Sequence, residues 1–458
     1  MAETYVHFIA IGGSVMHQLA IALKNKGYLV SGSDDEIFEP ALSNLSKSGI
    51  LPRQMGWFPE NITPSINSVI LGMHAREDNP ELVRAKELGL KIYSFPEYIY
   101  QESRKKTRVA IGGSHGKTST TSMIMHALKG AGKKFDYLVG AQLQGFSQSV
   151  QVTDADVIIC EADEYPASTL EKRPKFHFLF PHIAVITGIA WDHINVFPTF
   201  EFYLEQFSIF IDKIEPGGVL IYNQQDKTLI TLVEANQRKD IRYLSYHLPT
   251  YFVEDGITSV VIEGVKSALK IFGNHNLANL EAAWLVCHEL GVQAEIFVQN
   301  MASFTGASNR LELLYSSPGC KVFRDFAHAP SKVKATIEAV KQQFPDHGLV
   351  AVLELHTYSS LNKGFLSEYR LSMQGAGNAA IFYSPHALEI KRMPALRVES
   401  IKDGFAKQNL EVFTNNSELR KWILSLNLEH SNLLLMSSGT YDGLDLNQLV
   451  AEIKNKPL

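Results

Sequence analysis

The chain has few cysteines and no excess of basic residues. Its three cysteines, Cys160, Cys287 and Cys320, lie far apart, and no Cys-x-x-Cys pair occurs. An odd, scattered set argues against a disulfide framework or a zinc site and is typical of proteins in a reducing cytosol. The formal net charge is −5 at pH 7, whereas nucleic-acid-binding proteins usually carry a strongly basic surface. We therefore expect no nucleic-acid partner.

Long apolar runs are absent as well. No uninterrupted apolar stretch reaches the roughly 20 residues that a membrane-spanning helix needs, so membrane insertion is not expected. The N-terminus has neither a basic start nor a secretory apolar core, and it leads directly into a strand pattern. These absences predict a cytoplasmic protein.

What the sequence does contain is a repeated alternation of short apolar runs with amphipathic stretches. Of its 458 residues, 45% are hydrophobic and 20% are charged, which is the composition of a globular protein of roughly two to four domains. The alternation predicts an α/β protein whose parallel sheets are flanked by helices. We expect domains at 1–106, 107–312 and 313–458, with a linker at 104–106.

The period of the apolar residues and the turn residues predict the elements of each domain. Strands are predicted at 6–11, 28–31, 68–71, 108–111, 157–160, 183–187, 219–222, 259–262, 321–326, 349–355, 380–383 and 433–436. Helices are predicted after the Gly-Gly-Ser turn at 12–14, from Pro80 onward, and at 277–290 and 331–344.

A strand, a glycine-rich loop and a helix follow one another at the start of the second domain. The loop consists of Gly113, Ser114, His115, Gly116, Lys117, Thr118 and Ser119. Glycines let backbone N–H groups approach phosphate oxygens, and the helix N-terminus adds partial positive charge. Lys117 is expected to reach the terminal phosphates of a nucleotide, and Thr118 to offer its hydroxyl to magnesium.

The spacing of this loop is the short form, Gly-x-x-Gly-Lys-Thr, and Ile111 stands where the longer motif has its first glycine. The alternative to nucleotide binding is a plain glycine turn between a strand and a helix. The Gly-Lys-Thr sequence between these two elements favours nucleotide binding.

Acidic residues follow the next predicted strand of this domain. Glu161, Asp163 and Glu164 come directly after that strand, and His193 comes shortly after the strand at 183–187. Parallel strands end at one edge of a sheet, where open α/β folds bind ligands, so Glu161 and His193 are expected to converge beside the phosphate loop. Oxygen donors suit Mg²⁺, and a neutral imidazole can complete a second metal site. The alternative is that the carboxylates cap a helix and that His193 is a buried structural histidine.

Five motifs occur in the order found in the Mur ligases, and the chain resembles that family over nearly its whole length. They are the loop at 113–119, Glu-Ala-Asp-Glu at 161–164, Trp-Asp-His at 191–193, Gly-Asn-His-Asn at 273–276 and Asp-Phe-Ala-His-Ala-Pro at 325–330. The resemblance implies an N-terminal Rossmann-like domain that binds UDP-muramate and a central P-loop ATPase-like domain with a mostly parallel sheet. It also implies a C-terminal Rossmann-like domain that binds the amine substrate and closes on ATP.

The resemblance further implies an ATP- and Mg²⁺-dependent ligase that forms a C–N bond, and it implies roles for single positions. Gly12, Gly13 and Ser14 would bind the UDP pyrophosphate, with Asp34 and His74 near the uridine. Lys117 would hold the β- and γ-phosphates, Thr118 and Glu161 would ligate one Mg²⁺, and His193 the second. His275, Asn276 and Asn279 would border the adenine, Arg310 and Asp325 would contact ATP, and His328 would lie near the incoming amine.

Within the family, the chain resembles most the ligases that join a recycled L-Ala-γ-D-Glu-meso-diaminopimelate peptide to UDP-N-acetylmuramate. The stretches 72–80, 161–165 and 171–176 carry this resemblance. The alternative is the form that adds L-alanine in de novo peptidoglycan synthesis.

Two stretches depart from the family pattern: Arg310 alone keeps its charge in 308–310, and Glu-Leu-His-Thr at 354–357 replaces Glu-Pro-Arg-Ser. Segment 437–443 either contacts the peptide or forms a turn. We expect a monomer or a homodimer.

Two other function classes fit parts of the sequence. A nicotinamide-dependent oxidoreductase would use the N-terminal glycine turn and Asp34, but 12–17 lacks the Gly-x-Gly-x-x-Gly spacing. It would also leave the second nucleotide loop unexplained. A silent protein that senses UDP-muramyl compounds would not need Lys117, Thr118, Glu161 and His193 together. The ligase is therefore the favoured function.

Overall fold

In a computed structural model of the protein, residues 4–455 are described except 74, 141–142, 144, 169, 192–195 and 307–309. The chain forms two compact units. The first contains 1–189, 201–247 and 282–292, and the second contains 190–200, 248–281 and 293–458. The domain boundaries expected from the sequence stay a prediction.

Strands and helices alternate at the start of the first unit. They are β1 (Tyr5–Ile9), α1 (Met16–Asn25), β2 (Leu29–Ser33), α2 (Ala41–Lys47), β3 (Ser68–Leu71), α3 (Pro80–Glu87), β4 (Ile92–Ser94) and α4 (Phe95–Ser103), with a short 3-10 helix at Pro59–Asn61. The strands pair in parallel in the order β2-β1-β3-β4. Asn79 caps α3 by accepting hydrogen bonds from the N–H groups of Glu81 and Leu82, which is why the Asn-Pro-Glu sequence starts a helix.

The larger sheet of the first unit carries the phosphate loop. Its elements are β5 (Thr107–Gly112), α5 (Lys117–Gly130), β6 (Asp136–Leu138), β7 (Val150–Gln151), β8 (Val157–Glu161), β9 (Ile183–Ile186), α6 (Phe200–Asp212), β10 (Val219–Asn223), α7 (Lys227–Ala235) and β11 (Arg242–Tyr246), with a 3-10 helix at Lys175–Phe178. The strand order is β11-β10-β9-β5-β8-β6-β7. All neighbouring strands pair in parallel except the edge pair β6–β7. β5 therefore lies between β8 and β9, so the residues that follow these three strands meet at one edge.

The second unit begins with an antiparallel sheet and continues into a mostly parallel one. Its elements are β12 (Thr250–Glu254), β13 (Ile257–Ile262), β14 (Val265–Leu269), α8 (Asn274–Glu289, whose last turns lie in the first unit), α9 (Ala294–Met301), β15 (Glu312–Ser316), β16 (Lys321–Asp325), α10 (Pro330–Gln343), β17 (Gly348–Glu354), β18 (Asn378–Phe382), α11 (Pro385–Ile390), α12 (Val398–Phe405), β19 (Leu410–Phe413), α13 (Asn416–Ser425), β20 (Ser431–Met436) and α14 (Leu446–Asn455), with a 3-10 helix at Lys363–Tyr369. The larger sheet has the order β15-β16-β20-β17-β18-β19. Apolar clusters on its two faces bury residues of β17, such as Leu353 on one face and Val352 on the other.

The α/β prediction is confirmed, and each predicted strand corresponds to a strand whose ends differ by a few residues. The sequence pattern did not predict some short or edge strands, such as β7, which has 2 residues. Positions 104–106, predicted as a linker, form a turn in which Lys106 is buried. Its ammonium donates to Asp136 and to the carbonyl oxygen of Thr153. Among the described residues, no helix has both the length and the apolar character that crossing a membrane requires.

Candidate functional site

The phosphate loop joins the end of β5 to the start of α5, as the glycine spacing predicts. Gly113 has a φ of +125° and Gly116, the residue before the helix, a φ of +83°. L-residues with a side chain rarely adopt these angles. A Cβ on Gly113 would also overlap the hydroxyl of Thr187, which follows β9. The loop conformation therefore requires glycine at both positions.

Lys117 is held by acceptors on both sides of the loop. Its Nζ donates to the carbonyl oxygen of Gly113 at 2.6 Å and to Oε2 of Glu164 at 2.7 Å. Burial opposes the charged form of Lys117, but the carboxylates of Glu164, Asp163 and Glu161 outweigh this and raise its pKa above the ordinary value. The lysine is therefore a cation at neutral pH, as a phosphate ligand has to be.

Thr118 and Glu161 meet at the edge of the sheet. The Thr118 hydroxyl donates to Oε1 of Glu161 at 2.6 Å, and Oε2 accepts from the N–H of Gly140 at 2.9 Å. Both side chains offer oxygen, the donor that Mg²⁺ prefers, so this pair fits one magnesium ion. His193, the predicted ligand of a second ion, lies outside the described residues. Within the described residues, no three His, Cys, Asp or Glu side chains cluster in a way that could hold a metal.

Asp163 pairs with Lys175, the first residue of the 3-10 helix at Lys175–Phe178. Its Oδ2 accepts from Nζ of Lys175 at 2.7 Å. Burial works against ionisation of Asp163, but the cations of Lys175 and Lys117 lower the pKa of its carboxyl. The acidic stretch that begins with the last residue of β8 thus supplies three carboxylates, those of Glu161, Asp163 and Glu164, and each has a partner of its own.

Sequence reasoning missed two residues of this site, Glu164 as the partner of Lys117 and Tyr203. The Tyr203 hydroxyl lies 2.8 Å from Oγ of Ser114 and 3.4 Å from Oε1 of Glu164. Glu164 belongs to the acidic motif identified in the sequence, so its contact with Lys117 could have been predicted from that motif. Tyr203 lies on α6, 89 positions from Ser114, and no local signal marks it.

A second glycine turn lies at the end of β1. The N–H of Gly12 donates to Oδ2 of Asp34 at 2.7 Å, and Asp34 is buried directly after β2. Burial, partly opposed by the Gly12 hydrogen bond, raises the pKa of Asp34 to about 6. Ser14 is exposed, and α1 begins at Met16. The structure thus brings the turn and Asp34 together. That they bind a substrate stays a prediction, and His74 lies outside the described residues.

In the second unit, Asp325 at the end of β16 organises the predicted ATP-contacting residues. Its Oδ2 accepts from the N–H of Leu311 at 2.6 Å and its Oδ1 from the N–H of Ala327 at 2.7 Å. The guanidinium of Arg310 stacks on the Phe326 ring at 4.8 Å. Asp325 thereby fixes the backbone next to Arg310. That either residue contacts ATP stays a prediction.

The predicted adenine-side residues lie at the start of α8. Burial lowers the pKa of His275, which also senses the charges of Asp325 and Arg310, so its imidazole is neutral at pH 7. Asn276 and Asn279 are buried, and Asn276 donates to the carbonyl oxygen of Phe272 at 2.9 Å. The structure therefore brings His275 into the neighbourhood of Arg310 and Asp325.

Polar groups also gather after β16, β17 and β20. Nδ1 of His328 lies 2.9 Å from the carbonyl oxygen of Phe326. The buried carboxylate of Glu354 accepts from the N–H of Tyr441 at 2.8 Å and from the hydroxyl of Ser437, and it lies 3.6 Å from Nδ1 of His356. The carboxylate of Glu354 is thus buried and bound by groups of the protein itself.

Comparison with known proteins gives consistent matches. The Mur ligase family catalytic domain matches residues 5–107, and the Mur ligase middle domain matches residues 111–287. The UDP-N-acetylmuramate–L-alanine ligase of Aquifex aeolicus is 32% identical over 363 residues, which are 77% of this chain and 78% of that protein. The ligase of the same name from Caldicellulosiruptor bescii is 32% identical over 388 residues, 82% of each chain.

Solved structures of similar fold cover nearly the whole chain. A murein peptide ligase from Psychrobacter arcticus has a TM-score of 0.62 at 20% identity, covering 99% of this chain and 100% of that one. A UDP-N-acetylmuramate–alanine ligase from Thermotoga maritima has a TM-score of 0.66 at 20% identity, covering 99% of each chain. These similarities confirm the three-domain α/β architecture expected from the sequence.

Proposed function

The chain belongs to the Mur ligase family of ATP-dependent, amide-bond-forming enzymes, and we propose that it joins UDP-N-acetylmuramate to a recycled peptide. The carboxylate of UDP-N-acetylmuramate would be the acid, and the amine would come from L-Ala-γ-D-Glu-meso-diaminopimelate. The observation that carries the ligase chemistry is the meeting of Lys117 and Thr118 with Glu164 and Glu161 at the edge of the central sheet. The ammonium of Lys117 and the oxygen donors of Thr118 and Glu161 are groups that a phosphoryl transfer can use.

We assign ATP to the loop at 113–119. Its backbone N–H groups and the N-terminus of α5 favour an anion, and Lys117 supplies a positive charge. Thr118 and Glu161 would hold Mg²⁺, and the ion would neutralise charge on the phosphate oxygens when it is bound. The support for this assignment is the oxygen-donor pair, 2.6 Å apart, beside the phosphate loop.

The reaction follows from the chemistry of the bond to be made. A carboxylate does not react with an amine in water, because hydroxide is too poor a leaving group. Transfer of the γ-phosphate to the carboxylate gives an acyl phosphate and ADP. The amine then attacks the acyl carbon, and phosphate leaves with the bonding electrons while the amine loses a proton. The protein mainly positions the reactants and neutralises charge, a task for which Lys117 is suited.

The UDP-sugar is assigned to the glycine turn after β1. Gly12 and Asp34 are within hydrogen-bonding distance there, and Gly13 and Ser14 complete the turn. The pyrophosphate would bind near the start of α1, as anions do at helix N-termini. Because ATP and UDP-sugars are cytoplasmic metabolites, the proposal also locates the enzyme in the cytoplasm.

The choice of the amine rests on sequence. The stretches 72–80, 161–165 and 171–176 resemble the recycling ligases. Stretch 171–176 folds back on 163–167: Pro166 and Pro174 form a bridge, and Lys175 reaches Asp163. The second candidate is L-alanine, because relatives at 32% identity are UDP-N-acetylmuramate–L-alanine ligases. Fold similarity does not discriminate, since both types of enzyme resemble the chain over 99% of its length.

A competition between amines tests the proposal. Purified protein is mixed with ATP, MgCl₂ and UDP-N-acetylmuramate, and then with either L-alanine or the tripeptide. Phosphate release gives the rate, and mass spectrometry identifies the ligated product. The recycling assignment predicts a kcat/KM for the tripeptide at least about 100-fold above that for L-alanine, a difference of about 3 kcal/mol. A preference for L-alanine would establish the second candidate, and turnover with neither amine would contradict both.

The matched control for this assay is Lys117→Ala. If the loop binds ATP as assigned, this variant loses phosphate release with either amine. A variant that retained full turnover would remove the loop from the mechanism, whichever amine is used.

A further inference from the structure

Thr187 contacts the phosphate loop from the neighbouring strand. It is buried directly after β9, and its N–H donates to the carbonyl oxygen of Gly112 at 3.1 Å. Its hydroxyl donates to the carbonyl oxygen of His115 and lies 3.2 Å from that of Gly112. One residue therefore binds both the peptide that precedes Gly113 and the peptide that precedes Gly116.

These contacts determine the direction of two peptides in the loop. In a planar trans peptide, the carbonyl oxygen and the N–H that follows it point to opposite sides. Because Thr187 binds the two preceding carbonyl groups, the N–H groups of Gly113 and Gly116 point away from it. In the part of the chain that the structure describes, neither N–H has a hydrogen-bond acceptor. Both N–H groups can therefore donate to a bound anion.

Thr187 is itself held from the other side, by residues that follow β10. Its carbonyl oxygen accepts from the side-chain amide of Asn223 at 3.3 Å. Two residues further on, the N–H of Ile189 donates to Oδ2 of Asp226 at 2.7 Å. Asn223 is the last residue of β10, and Asp226 caps α7. Segment 187–189 is thus anchored to the turn after β10, independently of any ligand in the loop.

We propose that Thr187 is a positioning residue that sets the phosphate loop for the phosphates of ATP. Its hydroxyl holds the carbonyl group of His115 on the side away from the ligand, because a carbonyl oxygen turned toward the phosphates would repel them. The loop then presents its N–H groups before ATP binds, and no binding energy is lost in reorienting them. This inference rests on the proposed assignment of ATP to the loop at 113–119.

Substitutions can separate the hydroxyl of Thr187 from its methyl group. Thr187→Val keeps the branched shape but places a methyl group against the carbonyl oxygen of His115, so affinity for ATP should fall by about tenfold. Thr187→Ser keeps the hydroxyl and should bind ATP within about threefold of wild type. A residue that only fills the core would give the reverse order, because serine leaves a cavity there and valine does not.

The test is calorimetric titration of the full-length variants with β,γ-imido-ATP and MgCl₂, and separately with UDP-N-acetylmuramate. Affinity for UDP-N-acetylmuramate should not change, since its assigned site lies on a different sheet. Thermal melting checks that each variant folds. If Thr187→Val does not fold, the comparison of Thr187→Ser with Thr187→Ala isolates the hydroxyl in the same way, and the alanine variant should then bind ATP more weakly.

The matched control is Thr121→Val, the same substitution in the helix that follows the loop. Thr121 is fully buried on α5, and within the described residues its hydroxyl has no hydrogen-bond partner. This control should leave both affinities unchanged, since no contact to the loop is lost.

Weaker ATP binding by Thr187→Val, with Thr187→Ser near wild type and UDP-N-acetylmuramate binding unchanged, would support the positioning role. Weaker ATP binding by the serine variant than by the valine variant, or an equal loss of both affinities, would overturn it. Lys117→Ala distinguishes the two levels of the proposal. If that variant binds the analogue as tightly as wild type, the assignment of ATP to the loop fails. If it loses binding while Thr187→Val binds like wild type, only the positioning role fails.

Discussion

The hydroxyl of Thr118 donates a 2.6 Å hydrogen bond to the carboxylate of Glu161. One residue stands in the first turn of α5 and the other at the end of β8, so this contact joins two neighbouring motifs at one edge of the sheet. Because β5 and β8 pair in parallel, with Ile111 opposite Glu161, the contact follows from the register of the two strands. It gives the proposed magnesium site its two oxygen donors.

Removal of either donor should abolish most turnover. Glu161→Ala and Thr118→Val are each expected to reduce kcat by about 10²–10³-fold, the usual cost of losing one group that stabilises developing charge. The readout is phosphate release at saturating ATP and UDP-N-acetylmuramate as the MgCl₂ concentration is varied. Thr118→Ser keeps the hydroxyl and should remain within about tenfold of wild type. Near-normal rates for Glu161→Ala would count against the magnesium assignment.

Asp34 should make stability depend on pH. Burial raises its pKa to about 6 from an ordinary value of 3.8, so the folded protein holds this proton more tightly than the unfolded chain. The stabilisation from the neutral carboxyl is full below pH 3.8 and is lost as the pH rises through 6. Asp34→Asn stays neutral and can still accept from Gly12. At pH 8 the variant should therefore melt at a higher temperature than wild type. Its free energy of unfolding should be larger by at most about 3 kcal/mol.

The same variant supplies its own check. The difference in melting temperature between Asp34→Asn and wild type should shrink as the pH is lowered from about 8 to about 5. Asp154→Asn, at an exposed position, serves as the surface control and should shift neither curve. A constant difference across the pH range would mean that Asp34 is ionised throughout.

The buried ion pair of Lys106 and Asp136 should be costly to break from one side. Asp136 is fully buried, and it also accepts from the N–H and the hydroxyl of Thr153 at 2.9 and 2.6 Å. Lys106→Ala leaves this carboxylate without its cation, which typically costs about 3–5 kcal/mol. The double change Lys106→Met with Asp136→Leu should cost less, because no charge remains buried. Thermal melting of the three proteins decides this, and equal losses for the single and double variants would contradict it.

The three cysteines should be unreactive in the folded protein. Cys160, Cys287 and Cys320 are all buried as free thiols. Burial raises the pKa of Cys160 to about 12 and that of Cys320 to about 11, so little thiolate forms near neutral pH. Ellman's reagent at pH 8 should give almost no colour with native protein and three equivalents after denaturation. Rapid labelling of the native protein, with loss of activity, would contradict a purely structural role.

Part of the site could be predicted because its signals are local. The Gly-x-x-Gly-Lys-Thr spacing between an apolar strand and a helix identified the loop at 113–119, and the acidic residues after the next strand identified Glu161. That these two motifs meet followed from a rule of topology, that parallel strands end at one edge. The roles assigned to His74 and His193 stay predictions, since both residues lie outside the described residues.

The sequence alone determined the α/β class, most strands and the phosphate loop, because apolar period and glycine spacing act over a few neighbouring residues. Tertiary structure decided which partners those residues take. Glu164 belongs to the acidic motif, but its pairing with Lys117 depends on the burial of both side chains. Tyr203 and Ser114 are 89 positions apart in sequence, and they meet only because of where α6 packs. Such contacts depend on how the helices pack against the sheet, and no local pattern encodes that packing.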